Sequence, residues 1–237
     1  MKLRSVVTVL ALAGAIPCVA GTPASVVITG FKNGSVAATI TNGGYTTGAS
    51  VGEFTGSLDG NAFSTFCTDI YQSFSWNNSG NPYTYDLKSV AETQEMWSVS
   101  PYTAGSYSQV SKLYTTAYDS IGTSSIKSAA FQFALWELLY ETPNGGAYDA
   151  GSGSFKVSST GNTSTAITQA NDWLAALGSA SEGYAIQSLY SGPNQMPGNQ
   201  QDFLVATPVP EPETYALALV SLGIVAGYAK RKRGSSS

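Results

Sequence analysis

The chain has 237 residues, 11% of them charged, with a formal net charge of −4 and no histidine. Between Gly21 and Pro210 lie five lysines, no arginine and thirteen acids, a balance of −8; this excludes nucleic acid and an anionic lipid surface as partners, because nothing is present to displace counterions from phosphate. Without histidine the commonest general base and zinc ligand are missing, which excludes zinc hydrolases and Ser-His-Asp enzymes.

At the start, Lys2 and Arg4 precede an apolar run from Val6 to Ile16, Pro17 breaks it, and Cys18-Val19-Ala20 places small residues where a signal peptidase reads. Residues 1–20 read as a signal peptide cut after Ala20, with Ala24 the second candidate position. Pro17 directly before Cys18 argues against a lipoprotein signal. Cleavage leaves one cysteine, Cys67, in an exported chain. An unpaired thiol in an oxidising compartment is buried and inert, paired between chains, or covalently engaged with a group other than cysteine.

Ser25 to Ile40 and Val51 to Ser75 are rich in β-branched and aromatic residues, interrupted by Asn33-Gly34, Asn42-Gly43-Gly44 and Asp59-Gly60, and predict hairpins. Cys67 falls in a predicted strand from Ala62 to Tyr71. Alternation there puts Cys67, Asp69 and Tyr71 on one face and Phe66, Thr68 and Ile70 on the other.

From Val90 the period changes. Val90 to Trp97, Tyr107 to Ser120, Ile126 to Glu141 and Ser164 to Leu177 carry helix-spaced apolar residues between loops of Gly, Ser, Pro and Asn. In the third helix, only Gln132 and Glu137 are polar from Ala129 to Tyr140, so it is predicted to be buried all round. The Gln132 carboxamide then needs a partner, since an unbonded buried amide costs about 1–3 kcal/mol. Either a backbone group or Cys67 supplies it. Tyr184 to Tyr190 and Asp202 to Ala206 predict closing strands. The expected fold is α+β: a mostly antiparallel β scaffold with a helical subdomain of about four helices over residues 21–207, plus a C-terminal single transmembrane helix.

The chain ends on Pro208-Val209-Pro210-Glu211-Pro212, an uncharged run from Tyr215 to Ala229, then Lys230, Arg231, Lys232 and Arg233. At roughly 1.5 Å per residue the run makes a helix of about 22 Å, short of a hydrocarbon core of about 30 Å. The four cations hold their end in the cytoplasm. Residues 208–237 resemble the PEP-CTERM sorting tails, with Pro210-Glu211-Pro212, the short apolar helix and the basic cluster in the family's order. The resemblance implies transient inner-membrane anchoring and cleavage near the Pro-Glu-Pro motif by an exosortase-type membrane protease. Release to the cell surface then follows, in Gram-negative bacteria that make exopolysaccharide.

A second resemblance lies in the interior. Phe66-Cys67-Thr68-Asp69 and Gln132-Phe133-Ala134-Leu135-Trp136 are similar to the two signatures of bacterial thioester domains, with Thr68 standing where that family usually has an aliphatic residue. The resemblance implies a bond between the Cys67 sulfur and the Gln132 side-chain carbonyl, used by surface adhesins to capture a nucleophile covalently. Phe66, Asp69, Ala134, Trp136 and Glu137 are its supporting residues. Asp69 and Glu137 either assist proton transfer or act structurally, and Trp136 either caps the thioester or fills the core.

Three functional readings stand. One is a surface binding module attaching covalently to an amine-bearing surface protein or extracellular polysaccharide. Another is a structural exopolysaccharide or biofilm surface protein with no thioester. The third is a polysaccharide-cleaving enzyme using Asp69 and Glu137 as a carboxylate pair. The expectation is that the protein is not an enzyme and uses no cofactor or metal. The fourteen tyrosines are scattered along the chain rather than arrayed for sugar stacking.

Overall fold

A computed structural model describes residues 21–76, 82–103, 105–143, 145–158, 160–192 and 200–210. The signal peptide, Glu211 and Pro212, the apolar segment 215–229 and the basic cluster 230–233 lie outside the described residues. Among the described residues, no helix is long and apolar enough to cross a membrane.

Among the described residues, nine strands and four α-helices build the fold. The strands are β1 (Thr22–Phe31), β2 (Val36–Asn42), β3 (Tyr45–Val51), β4 (Phe54–Leu58), β5 (Asn61–Thr65), β6 (Tyr83–Leu87), β7 (Phe155–Val157), β8 (Tyr184–Tyr190) and β9 (Phe203–Pro208). The helices are α1 (Val90–Met96), α2 (Ser106–Ala117), α3 (Ser125–Tyr140) and α4 (Asn162–Ala176). Each pairing between these strands is antiparallel. The sheets run β5-β4-β1-β6-β8-β9 and β3-β2-β7.

Local sequence explains most elements. In β1, Ala24, Val26 and Ile28 alternate inward and are buried, the period of a half-covered sheet. Asp59 and Gly60 both take positive φ, 50° and 81°, and join Leu58 to its partner Asn61; this is the two-residue turn whose twist suits a hairpin. Ser89 begins α1 with a capping box: its hydroxyl accepts from the Glu92 amide, and Glu92 accepts from the Ser89 amide. The helices fall within one or two residues of their predicted spans, except that Tyr118 to Ser120 form a separate 3₁₀ turn after α2. Strands β6 and β7 were not anticipated. Helices and sheets share one contiguous core rather than segregating into a helical subdomain.

Residues 66–71 depart from expectation. The strand ends at Thr65, and Phe66, Cys67 and Thr68 are all buried in succession, so the predicted alternation of faces is absent. The reason is coverage on both sides. The six-stranded sheet rolls until its two edges, β5 and β9, meet. The Thr65 hydroxyl donates to Leu204 O (2.6 Å) and accepts from Leu204 N (3.2 Å), Thr68 N donates to Asp202 O (2.9 Å), and Cys67 bridges Phe203. α3 covers the other side of this seam, and alternation survives only where one face is wet.

α3 is buried from Ser128 through Tyr140. Its Phe131 ring lies 4.6 Å from Phe66 and 4.8 Å from Tyr114. Beside the seam, a Cβ at Gly56 of β4 would sit 1.8 Å from Val27 O of β1, so these two backbones can approach only without a side chain there. Gly56→Ala is therefore expected to cost about 3 kcal/mol or more through forced backbone displacement, measured as a lower denaturation midpoint at unchanged slope.

Candidate functional site

Gln132 reaches from α3 to the seam and pairs with one residue. Its Oε1 accepts from Cys67 N (2.9 Å) and its Nε2 donates to Cys67 O (2.8 Å). The carboxamide thus imitates a neighbouring strand, meeting both polar groups of a buried main-chain residue that would otherwise be unpaired. About two turns further along α3, the Tyr140 hydroxyl donates to Thr68 O (2.9 Å) and accepts from Ile70 N (3.3 Å). The helix holds the segment at two points.

Cys67 is a free cysteine, 4% exposed. Burial pushes its thiol well above the ordinary value, and the charges of Asp69 and Asp202 push it further. Asp202 is itself buried, with its side chain accepting from Ser191 N (2.7 Å). Desolvation, with a contribution from Asp69, raises its pKa to about 7. Nothing in the sequence marked Asp202, because its proximity to Cys67 comes from sheet closure alone.

Cys67 also lines an open cleft of about 460 Å³. Trp136 borders it from α3, Tyr45 and Thr47 to Ser50 from β3, and Tyr71 to Phe74 with Trp76 from the loop after the seam. Cys67 thus borders the cleft, while Phe66, Phe131 and Phe133 are fully buried in the core. Trp136 is 4% exposed, and its indole N–H has no partner among the described residues.

The other predicted supporting residues take distinct places. Ala134 is fully buried in α3. Asp69 folds back on its own loop, accepting from Tyr71 N (2.7 Å) and from the Gln72 amide, while its carbonyl accepts from the Gln201 side chain. Glu137 is 1% exposed and accepts from Asp149 N through Oε1 (2.9 Å); its Oε2 has no partner among the described residues. Burial first, then Glu141 and Asp149, raise the Glu137 pKa to about 8. The structure does not bring Asp69 and Glu137 together as a carboxylate pair. The acids acting on Glu137 are Glu141 and Asp149, and neither Asp69 nor Glu137 lines the cleft. Successive residues of a buried helix face different neighbours, and Glu137 is turned toward the 149 loop. Among the described residues, no group of three or more His, Cys, Asp or Glu is arranged to hold a metal ion.

Chemically, the arrangement holds an amide carbonyl against an N–H donor. Cys67 N–H already points at Gln132 Oε1, where it would stabilise negative charge developing on that oxygen during attack at the carbon. The amide nitrogen donates to Cys67 O.

Residues 208–233 match the PEP-CTERM protein-sorting motif. The motif implies export to the cell surface and processing by an exosortase. No curated protein matches the chain. Among solved structures, the chain is similar to the N-terminal domain of the Streptococcus pyogenes pilus tip adhesin Cpa, at 12% identity over 68% of this chain and 85% of that one, with a TM-score of 0.46.

Two expectations follow from the geometry. Gln132→Ala strips both Cys67 main-chain groups of their partners and should destabilise the fold by about 2–5 kcal/mol, whereas Cys67→Ala leaves those groups paired and should cost about 1 kcal/mol; chemical denaturation of the two variants measures the contrast. Glu137 and Asp202 bind protons more tightly folded than unfolded, so stability should fall as pH rises from about 4, the unfolded carboxylate range, through about 7 for Asp202 and 8 for Glu137. Glu137→Gln should flatten that decline above pH 5, read from melting temperature against pH.

Proposed function

We propose that this is an exported surface binding module in which Cys67 and Gln132 condense to an internal thioester that captures an amine covalently. The observation that carries the reading is the reciprocal hydrogen bonding of the Gln132 carboxamide to the backbone of the residue bearing the thiol. The resemblance of Phe66-Cys67-Thr68-Asp69 and Gln132-Phe133-Ala134-Leu135-Trp136 to thioester-domain signatures supports it, and the sorting motif supports a surface location.

The steps balance without an outside oxidant. The Cys67 sulfur adds to the Gln132 side-chain carbonyl carbon, the thiol proton passes to the amide nitrogen, and ammonia leaves. A primary amine then adds to the thioester carbon, the carbon–sulfur bond breaks, and the sulfur takes a proton from the amine nitrogen. A secondary amide remains, with Cys67 a free thiol again. A dry interior protects the acyl-sulfur bond from water, and the cleft admits the nucleophile. The protein is consumed by its own reaction, so it acts as a single-use binder rather than an enzyme. Its partners are an amine-bearing surface protein or polysaccharide and, through the tail, the exosortase.

A second reading has its own observation. The carboxamide already satisfies both Cys67 main-chain groups, so Gln132 serves as a clamp and Cys67 as a small apolar filler in a surface protein without chemistry.

Intact mass of the exported protein separates the two. The thioester reading expects a mass short by one ammonia, replaced by a methylamine adduct on treatment with methylamine, and a full mass in Cys67→Ala. A full, unreactive mass in the wild type overturns it and leaves the clamp.

A further inference from the structure

We infer that the cleft above Cys67 is a recognition site for a neutral saccharide chain. Its volume of about 460 Å³ lies within the range of small-molecule sites. Tyr71 and Trp76, 43% and 47% exposed, are two of the large hydrophobic residues left open to solvent, and both stand on this cleft. Their rings are held in place. The Tyr71 hydroxyl accepts from Asn42 Nδ2 (2.8 Å) and its ring lies 5.0 Å from Tyr45; Trp76 meets Phe31 and Phe74 edge-on at 5.4 and 5.1 Å. Rings fixed beforehand lose little freedom on binding.

The polar groups narrow the ligand class. No Asp, Glu, Lys or Arg lines the cleft among the described residues, so a charged group entering it would shed water without compensation. A purely apolar ligand is also a poor fit, because the amide residues Gln72 and Gln201 stand among the lining residues and an apolar molecule would strip water from such groups without replacing it. A saccharide meets every condition at once. Its C–H faces lie on aromatic rings, its hydroxyls both donate and accept, and it carries no charge. Serine and threonine hydroxyls at Thr47, Ser50 and Ser73 border the same space.

This recognition does not depend on the thioester, and the test keeps the two apart. The full chain, purified in a non-glycosidic detergent, is titrated calorimetrically with cellohexaose, mannohexaose and N-acetylchitohexaose, as wild type and as Cys67→Ala. Saturable binding of at least one by both proteins is expected. Trp76→Ala and Tyr71→Ala should each weaken it roughly tenfold, with a cooperative melting transition well above the titration temperature showing that both variants stay folded; Val99→Ala, exposed elsewhere, should not weaken it. Absence of binding to all three sugars overturns the proposal, as does binding that survives both aromatic substitutions. Binding of a lysine-bearing peptide in place of the sugars, lost in Trp76→Ala, overturns it in favour of a protein partner.

Discussion

The seam from Thr65 to Ile70 imposes the constraint from which the rest of the site follows. When the six-stranded sheet rolls and its edges meet, this short segment passes between β9 and α3 with water excluded from both sides. Buried backbone groups must then be paired from both directions. β9 supplies one side through Asp202, Phe203 and Leu204, and side chains of α3 supply the other through Gln132 and Tyr140. A helix has no free main-chain groups along its middle to offer, so a carboxamide and a phenol do the work of a strand.

That solution has chemical consequences. Gln132 was needed for pairing, and pairing brings its carbonyl to the residue that carries the buried thiol. Closure also buries the Cys67 thiol, and its own desolvation first, then the charges of Asp69 and Asp202, hold it protonated. A buried neutral thiol resists adventitious oxidation, because the thiolate is the reactive species. The same seam forms one wall of the aromatic cleft, so recognition and any covalent step share one entrance.

Legibility in the sequence followed the range of the signal. The helix spans and β8 were readable because 3.6- and 2-residue periods are local, and the Asp59-Gly60 turn because its dipeptide prefers positive φ. The buried character of α3 was readable from its composition. The juxtaposition of Cys67 and Gln132 was suggested by motif resemblance, not by any period. The alternation predicted through residues 62–71 failed because the local pattern does not reveal that β9 covers the second face. Glu137 was read beside Asp69, but the helix turns it to the 149 loop instead. Tyr45 and Tyr71 looked scattered because they come to one cleft from separate stretches of chain, β3 and the loop after the seam.

The sequence by itself determined the sorting motif of the tail, the spans of the helices, and the need of Gln132 for a buried partner. These rest on composition and on patterns a few residues wide. The tertiary structure alone decided which partner that was, where Asp202 lies, and that a cleft opens over the thiol. Those outcomes depend on sheet closure and helix packing, which join residues 65 and 139 positions apart, and a contact at that separation leaves no mark on the local period of either segment.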